Sequence, residues 1–269
     1  LNFKPVITLK NEGITTLSSG NFYMQIDGGT TQIINWGGSL AMQQQVQVTF
    51  PLQMVTSGTH TLSVTFANAN GQPTDNNITN DNKSISFFAY NGSSAAAIPF
   101  TEDFENLFPA TNWSVYNPNF DITWVQNTNG GAYGYSYNSA SINNLGYTSN
   151  PNRKKDALIT DVYDLTTVAY PELKFDVAYA RYNANRTDSL NVYYSLDCGE
   201  TWIKLWNQSG NELATAPDTT GTFVPTFAQW KTVSVSLSAI EAKSKVSFKF
   251  ENVTGWGNMM YLDNVNLHS

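Results

Sequence analysis

The side chains that could do chemistry in this 269-residue chain are mainly carboxylates, because it has 21 Asp and Glu residues but two histidines and one cysteine. His60 lies in the first half and His268 at the extreme end, so neither is well placed to activate Cys198 as a nucleophile. The sequence has no H-E-x-x-H, no Cys/His zinc spacing and no G-x-S-x-G. Two carboxylates can cleave a glycosidic bond without other groups, so a glycosidase is the enzyme class that composition leaves open.

Three acids have a spacing that suits a metal ion. Asp103 and Glu105 alternate in TEDFEN, which places both carboxylates on one face of a strand, and Asp263 lies in YLDNV near the end of the chain. Carboxylates that folding brings together repel one another unless a cation lies among them, and oxygen ligands favour Ca²⁺ before Mg²⁺. The alternative is that Asp103 and Glu105 are solvated and Asp263 caps a turn.

The stretch SLDCGETW, residues 195–202, resembles the S-x-D-x-G-x-T-W Asp-box of sialidases and other extracellular β proteins. In that motif the Asp and the hydroxyl groups bond the backbone of a hairpin, the Gly adopts a turn conformation and the Trp packs beneath. We therefore predict a structural turn made by Ser195, Asp197, Gly199, Thr201 and Trp202. The alternative is a surface loop that contacts a ligand. Cys198 occupies a free position of the motif, and we expect it to have no essential role.

Aromatic residues are concentrated between small polar residues in WVQNTNGGAYGYSYNSASINNLGYTS. Aromatic rings beside amide side chains are typical of carbohydrate sites, and Tyr-rich loops also bind proteins. The candidate ligand-binding residues are Trp124, Tyr133, Tyr135, Tyr137 and Tyr147. The alternative is that the alternating tyrosines form a strand with one wet face and that Trp124 belongs to the core.

The elements that must position these groups are predicted by the alternation of apolar and polar residues. It recurs along most of the chain, for example at Phe22, Met24 and Ile26, at Leu173, Phe175, Val177 and Tyr179, and at Val246, Phe248 and Phe250. A period of two over many short runs predicts half-buried strands in antiparallel sheets. The small, uncharged stretch YNGSSAAAIP separates two strand-rich halves. We predict two all-β domains, residues 1–92 and 98–269, joined by a linker at 93–97.

Charge and composition narrow the class of partner. A net charge of −7 and a charged fraction of 13% disfavour nucleic acid and anionic membrane surfaces, and no apolar run approaches the length of a membrane span. A single cysteine excludes an internal disulfide, so a bound metal is the expected stabiliser outside a cell. Because the chain starts with Leu1, we expect it to be covalently linked to the remainder of a longer secreted polypeptide.

The first half resembles adhesion-related (CARDB-like) immunoglobulin-like modules of bacterial secreted proteins. The resemblance rests on PVITLKNEG, MQIDGG, WGGSL, SGTHTLSV and NDNKSISF, and it covers most of residues 4–90. It implies an immunoglobulin-like β-sandwich that serves as a spacer or as a protein-contact module.

The second half resembles the MAM-like jelly rolls of the cleaved-adhesin and choice-of-anchor J type. The matching blocks include PFTEDFEN, DALITDVYDL, DSLNVYYSLDCGETW and GNMMYLDNVNL, and they span nearly all of residues 98–267. In particular, the second half is similar to modules that follow pappalysin-type metallopeptidase domains in secreted Bacteroidota proteins. The resemblance implies an accessory or adhesive module at the cell surface or in the medium.

A jelly roll of this type places its first and last strands side by side, and its relatives carry calcium there. The resemblance therefore implies that Asp103, Glu105 and Asp263 converge on a structural Ca²⁺. Asp156, which opens the DALIT strand, is a fourth candidate ligand by its place in the family pattern. Carbonyl groups near Asn143 and Asn144 would complete the coordination shell.

Together these observations predict a non-enzymatic, secreted or cell-surface region that works in adhesion or substrate targeting. Its expected ligand is an extracellular glycan or protein, and its expected cofactor is structural Ca²⁺. The competing interpretation is a structural spacer or docking region of a secreted metallopeptidase. A glycan-cleaving enzyme is the third.

Overall fold

The structure, a computed structural model, describes residues 2–56, 58–73, 77–89, 95–111, 113–119 and 121–269. The chain divides into two compact units, Leu1–Asn91 and Gly92–Ser269. The predicted domain boundary at residue 92 and the start of the predicted linker, residues 93 and 94, lie outside the described residues. Ala96, within that linker, donates its N–H to the carbonyl of Val162 at 2.8 Å and so belongs to the second unit.

The first unit is built from short antiparallel strands around one apolar core. Its strands are β1 Asn2–Phe3, β2 Val6–Lys10, β3 Leu17–Ile26, β4 Gln32–Leu40, β5 Gln45–Thr49, β6 Gln53–Met54, β7 Gly58–Ala67 and β8 Asn82–Ala89. One sheet has the order β4-β3-β7-β8, and β2-β5 and β1-β6 form two smaller sheets. Phe22 and Met24 on β3 are 2% and 1% exposed, as their alternation predicts.

The second unit holds most of the chain and nearly all of the predicted site residues. Its strands are β9 Phe100–Glu102, β10 Ser114–Tyr116, β11 Val125–Asn127, β12 Ser139–Asn143, β13 Lys155–Tyr163, β14 Glu172–Tyr179, β15 Ser189–Ser195, β16 Ile203–Ser209, β17 Lys231–Ser236, β18 Val246–Val253 and β19 Met259–His268. An α-helix, α1, forms the single turn Gly210–Leu213, and 3₁₀ turns occur at Ala132–Gly134, Asn144–Gly146, Phe227–Gln229 and Ser238–Ile240. A further 3₁₀ turn, Ala69–Gly71, lies in the first unit.

Two antiparallel sheets form the jelly roll of the second unit. One has the order β10-β13-β18-β15-β16, and the other has the order β11-β12-β19-β14-β17 with β9 also paired to β19. The prediction of an all-β chain made of β-sandwiches is confirmed. The first strand of the unit lies beside its last, with Glu102 opposite Val265 and Phe100 opposite Leu267.

Alternation along β14 decides which side chains reach the core and which reach the site. Phe175, Val177 and Tyr179 point inward and are completely buried in the main apolar cluster of the unit. Asp176 and Ala178 therefore point to the outer face of the six-stranded sheet. Fully burying an aromatic or large aliphatic side chain stabilises a fold by about 1.5–3 kcal/mol, so a register shift that exposed this row would be strongly opposed.

The helices are short throughout. Among the residues that the structure describes, no helix is long and apolar enough to cross a membrane.

Candidate ligand-binding site

The outer face of the six-stranded sheet carries a second, smaller apolar cluster. Ala178 on β14 and Tyr261 on β19 lie side by side in the register and are 0% and 2% exposed. Phe223 and Trp230 pack over them, with ring centroids 6.1 and 6.2 Å from that of Tyr261. Part of this face is therefore covered by the chain itself.

Two loops cover this face, and together they are called the aromatic loop pair: residues 129–138 and residues 223–230. The first loop closes as a hairpin, in which the N–H groups of Gly130 and Gly131 donate to the carbonyls of Tyr137 and Ser136 at 3.1 and 3.2 Å. The second loop is fixed by the Tyr261 hydroxyl, which donates to the Phe223 carbonyl at 2.7 Å.

The two loops contact each other where Phe227 packs on Gly134. Gly134 has a φ of +73°, a conformation that L side chains resist, and a Cβ atom built there would lie 2.9 Å from the Phe227 ring. Tyr135 and Tyr137 in the first loop and Phe227 in the second loop are 91%, 83% and 68% exposed. Tyr133, half-buried beside them, shares a 3.0 Å hydrogen bond with the Thr232 hydroxyl.

Asp263 holds the first loop on the sheet. Its carboxylate, fully buried, accepts hydrogen bonds from the Ala132 N–H and the Ser136 hydroxyl at 2.6 Å, and from the Asn264 N–H at 2.7 Å. Burial raises the pKa of Asp263 to about 6, and the three hydrogen bonds oppose that rise because they favour the charged form. The sequence predicts this carboxylate as a metal ligand, and in the structure it contacts the first loop of the aromatic loop pair.

Glu105 holds the same loop from the other side. Its Oε1 atom accepts hydrogen bonds from the backbone N–H groups of Tyr137 and Asn138 at 2.6 and 2.7 Å. Charge-assisted hydrogen bonds of this kind are roughly twice as strong as neutral ones. Two carboxylates that are distant in sequence thus fix the backbone that carries the exposed tyrosines.

The acids near β9 accept hydrogen bonds from backbone N–H groups close by in sequence. Asp103 Oδ1 accepts the N–H of Glu105, and Glu102 Oε1 accepts the N–H of Phe104. Within the described ranges, no three His, Cys, Asp or Glu side chains lie close enough to hold one metal ion. The observed contacts of Glu102 and Asp103 are with the backbone, and the calcium site stays a prediction.

Asp156 lies apart from the other three acids. It is on β13 in the five-stranded sheet, opposite Asn252, whose side chain exchanges two hydrogen bonds with that of Asn144. Both carboxylate oxygens of Asp156 are buried without a hydrogen-bond partner, as is the nearby hydroxyl of Thr123. Burial raises the pKa of Asp156 to about 7, while the proximity of Thr123 lowers it to a smaller extent.

Two of the five predicted ligand-binding aromatics lie elsewhere. Trp124 is 1% exposed, and its indole N–H donates to the Asp156 carbonyl at 3.3 Å. The prediction that Trp124 contacts a ligand is wrong, because a buried ring cannot present a face to a sugar. Tyr147 is half-buried in another loop, where the Lys154 ammonium lies 5.2 Å from the centre of its ring.

Phe227 is the residue of the site that sequence reasoning missed. It lies in FVPTFAQW, between a proline and a core tryptophan, where no alternation marks a buried face. The local sequence therefore offers one clue that Phe227 is exposed: it is an apolar residue in a loop, outside any predicted strand. Its contact with Gly134 joins residues far apart in sequence and depends on the fold.

The SLDCGETW stretch forms a turn closed by its own side chains. Asp197 Oδ1 accepts the Thr201 N–H at 2.9 Å and the Ser195 hydroxyl at 2.7 Å, and the Ser195 oxygen accepts the Gly199 N–H at 2.8 Å. Gly199 has a φ of +90°, with the Trp202 ring beside it. Hydrogen bonds from Thr201 and Ser195 lower the pKa of Asp197 to about 2. Cys198 is free and exposed.

Comparison with known proteins gives similarity at the level of solved structures. No protein-family model matches the chain, and no curated protein matches it. The K1 cleaved adhesin domain of Lys-gingipain from Porphyromonas gingivalis W83 is 19% identical, with 64% of this chain and 99% of that chain covered and a TM-score of 0.47. The CBM27-1 module of Caldicellulosiruptor saccharolyticus, solved in complex with mannohexaose, is 13% identical, with 64% and 98% covered and a TM-score of 0.42. At these scores the similarities carry no argument about function, which has to rest on the geometry of the site.

Proposed function

We propose that the aromatic loop pair binds carbohydrate and that the chain is a non-catalytic adhesive or substrate-targeting region of a secreted or cell-surface protein. The observation that carries this proposal is the exposure of Tyr135, Tyr137 and Phe227 on two loops that contact each other. Clustered apolar rings left in water mark a binding surface more often than isolated ones do.

The chemistry of the loop pair suits a sugar. The C–H faces of a pyranose ring pack on aromatic faces, and its hydroxyl groups need donors and acceptors close by. Tyr135 and Tyr137 supply both a ring and a hydroxyl, and Asn129 in the same loop is an exposed amide. The carboxylates of Asp263 and Glu105 hold the loop backbone rigid, which lowers the entropy lost on binding.

The same contacts favour binding over hydrolysis. A glycosidase needs two carboxyl groups that flank the scissile bond. Asp263 is fully buried and accepts three hydrogen bonds, so its oxygens are directed at the loop backbone and not at a ligand. The glycan-cleaving alternative would therefore need a different pair of acids.

We propose separately that calcium binds at the seam, the place where β9 pairs with β19. Burial raises the pKa of Glu102, and the charges of Asp103 and Asp263 raise it further, so these acids repel one another. A cation bound there would relieve the repulsion. Asp103, Glu105 and Asp263 remain its proposed ligands.

The proposed function is tested by presenting neutral oligosaccharides to the full chain. Mannohexaose, xylohexaose and cellohexaose would be immobilised, and binding would be followed by biolayer interferometry; turnover of the matching p-nitrophenyl glycosides would be assayed in parallel. We expect saturable binding to at least one sugar, with a Kd of about 1 mM or lower and no turnover. Absence of binding to all three would favour the spacer interpretation, and turnover would favour the enzyme.

A further inference from the structure

A second cluster of aromatic and charged side chains lies where three loops of the second unit meet, and it shares no residue with the aromatic loop pair. These loops are residues 144–154, 182–188 and 254–258. Arg153 donates from Nη1 to the Thr187 carbonyl at 3.3 Å, and the Trp256 indole N–H donates to the Tyr147 carbonyl at 2.9 Å. All three loops are therefore joined by direct hydrogen bonds.

The 254–258 loop is held rigidly by a buried carboxylate. Asp188, which is fully buried, accepts the backbone N–H groups of Gly255, Gly257 and Asn258 at 2.8, 3.1 and 3.0 Å. A Cβ atom at Gly255 would lie 1.9 Å from the Thr187 carbonyl oxygen and 3.2 Å from the Arg153 guanidinium, so only glycine fits there. These hydrogen bonds hold the backbone on both sides of residue 256 and so fix the position of its side chain.

That side chain is Trp256, which has a φ of +65°. A bulky residue in the left-handed region is strained and persists where the surrounding contacts over-determine it, often at a binding site. The Arg186 guanidinium lies 4.1 Å from the centre of the Trp256 ring and 4.9 Å from that of Tyr182. The strain thus holds an indole ring under a guanidinium group at the surface.

Among the described residues, the two arginines of this cluster are not in ion pairs. In the described part of the chain, neither Arg153 nor Arg186 has a carboxylate within ion-pair distance, although the net charge of the protein is −7. By contrast, Arg181 is paired with Asp218 at 2.8 Å, and Lys154 is paired with Asp121. Two guanidinium groups without a carboxylate partner therefore lie beside Gly255 and Trp256 in a protein with a net negative charge.

We propose that Arg153, Tyr182, Arg186 and Trp256 form a binding site for an acidic polysaccharide, one that carries carboxylate or sulfate groups. The planar fork of a guanidinium group matches both of these anions through paired N–H donors. The half-buried rings of Tyr182 and Trp256 offer apolar surface to the sugar backbone between the charged groups. An acidic peptide would use the guanidinium groups but would have little to place on the rings, so the polysaccharide is the better match.

This site goes beyond the proposed function, since it uses none of the residues of the aromatic loop pair. Its test uses the full chain with dextran sulfate and polygalacturonate as probes, neutral dextran as the uncharged control for the first, and poly-L-glutamate as the peptide competitor. Arg153→Gln/Arg186→Gln removes the two charges. Lys243→Gln/Lys245→Gln is the matched control, because it removes two exposed charges that precede the opposite end of β18.

We expect the wild-type chain to bind at least one of the two acidic polysaccharides, and to bind it more tightly than dextran or poly-L-glutamate. Binding of only one would identify sulfate or carboxylate as the preferred anion. In the arginine variant the affinity should fall at least tenfold, while the lysine variant should stay within twofold of wild type, with melting curves confirming that both are folded. Tyr135→Ala/Tyr137→Ala should leave this binding unchanged, which separates the site from the carbohydrate site proposed above. Equal losses in the arginine and lysine variants, absence of binding by the wild type, or tighter binding to poly-L-glutamate would each overturn the proposal.

Discussion

At the scale of single residues, Asp156 and Asp263 show how hydrogen bonding divides the roles of two equally buried carboxylates. Both are 0% exposed, but Asp263 accepts three hydrogen bonds while both oxygens of Asp156 have no partner. A buried carboxylate without a partner destabilises the fold when it is charged. Asp263 therefore holds a loop in place, whereas the ionised form of Asp156 lowers the stability of the fold.

The pKa of Asp156 sets the pH range over which this cost is felt. Its folded-state pKa of about 7 lies above the ordinary value of 3.8, so folding takes up a proton between these two values. The contribution of Asp156 to stability is therefore complete below about pH 4 and is lost as the pH rises through 7.

We predict that Asp156→Asn stabilises the chain at pH 8 by about 1–3 kcal/mol, the usual cost of an unpaired buried polar group, and has little effect at pH 4. Thermal melts at both pH values measure the difference. Glu200→Gln, which removes one charge from an exposed position, is the control and should show no such pH dependence. A loss of stability at pH 8 would mean that the ionised carboxylate has a partner.

Asp197 gives the opposite pH dependence. Hydrogen bonds from Thr201 and Ser195 lower its pKa to about 2, so its stabilising effect is present above the ordinary value of 3.8 and is lost as the pH falls through 2. We predict that Asp197→Ala lowers the Tm at pH 7 and leaves sugar affinity unchanged. Normal melting with lost sugar binding would assign this turn to a ligand site instead.

At the scale of structural elements, the aromatic loop pair depends on one close approach between its two loops. The φ of Gly134 is +73°, and any side chain there would collide with Phe227. Gly221 is a useful contrast in the same unit, because a Cβ atom built there meets nothing within 4 Å.

We predict that Gly134→Ala displaces Phe227 and lowers sugar affinity at least fivefold, with a loss of stability of about 1 kcal/mol from the left-handed conformation. Gly221→Ala should leave both quantities near their wild-type values. Titration calorimetry and thermal melts on the two variants measure these effects. Similar affinities in the two variants would show that the loop contact does not shape the site.

The elements were predictable from sequence where the pattern is local. Period-two alternation identified the strand that carries Phe175 and Val177, because a strand buries every second side chain whatever its partners are. The turn at Asp197 was predictable because its contacts lie within seven residues. The contact between Asp263 and the first loop of the aromatic loop pair could not be predicted. It joins Ala132 to a strand residue 131 positions later, and only the sheet order brings the two together. The cluster at Trp256 escaped notice for the same reason, since its two arginines come from different loops.

At the scale of the whole molecule, the second unit ties its beginning to its end. β9 pairs with β19, and two acids near this pairing, Asp263 and Glu105, anchor the loop that carries the exposed tyrosines. An ion bound at the seam would stabilise the folded chain and the binding surface at the same time.

We predict that calcium raises the Tm of the full chain and that EDTA lowers it, with magnesium less effective. Binding to the folded form alone would stabilise it by about 2.7 kcal/mol when calcium is in hundredfold excess over its Kd, and extracellular calcium sites often have a Kd of about 0.1–1 mM. Asp263→Asn should weaken the response, whereas Asp164→Asn, at an exposed turn, should not. Identical Tm values in EDTA and in millimolar calcium would contradict the calcium proposal. The first loop of the aromatic loop pair would then be held by hydrogen bonds without a metal ion.

The most direct test of the central claim compares sugar binding by Tyr135→Ala/Tyr137→Ala with binding by Tyr170→Ala. All three tyrosines are at least 83% exposed, so their loss should not disturb the core, but Tyr170 lies outside the aromatic loop pair. Using the neutral hexasaccharide that the wild type binds best, titration calorimetry should show at least a tenfold loss of affinity for the double variant and no change for Tyr170→Ala. Wild-type affinity in the double variant would contradict the assignment of carbohydrate binding to the aromatic loop pair.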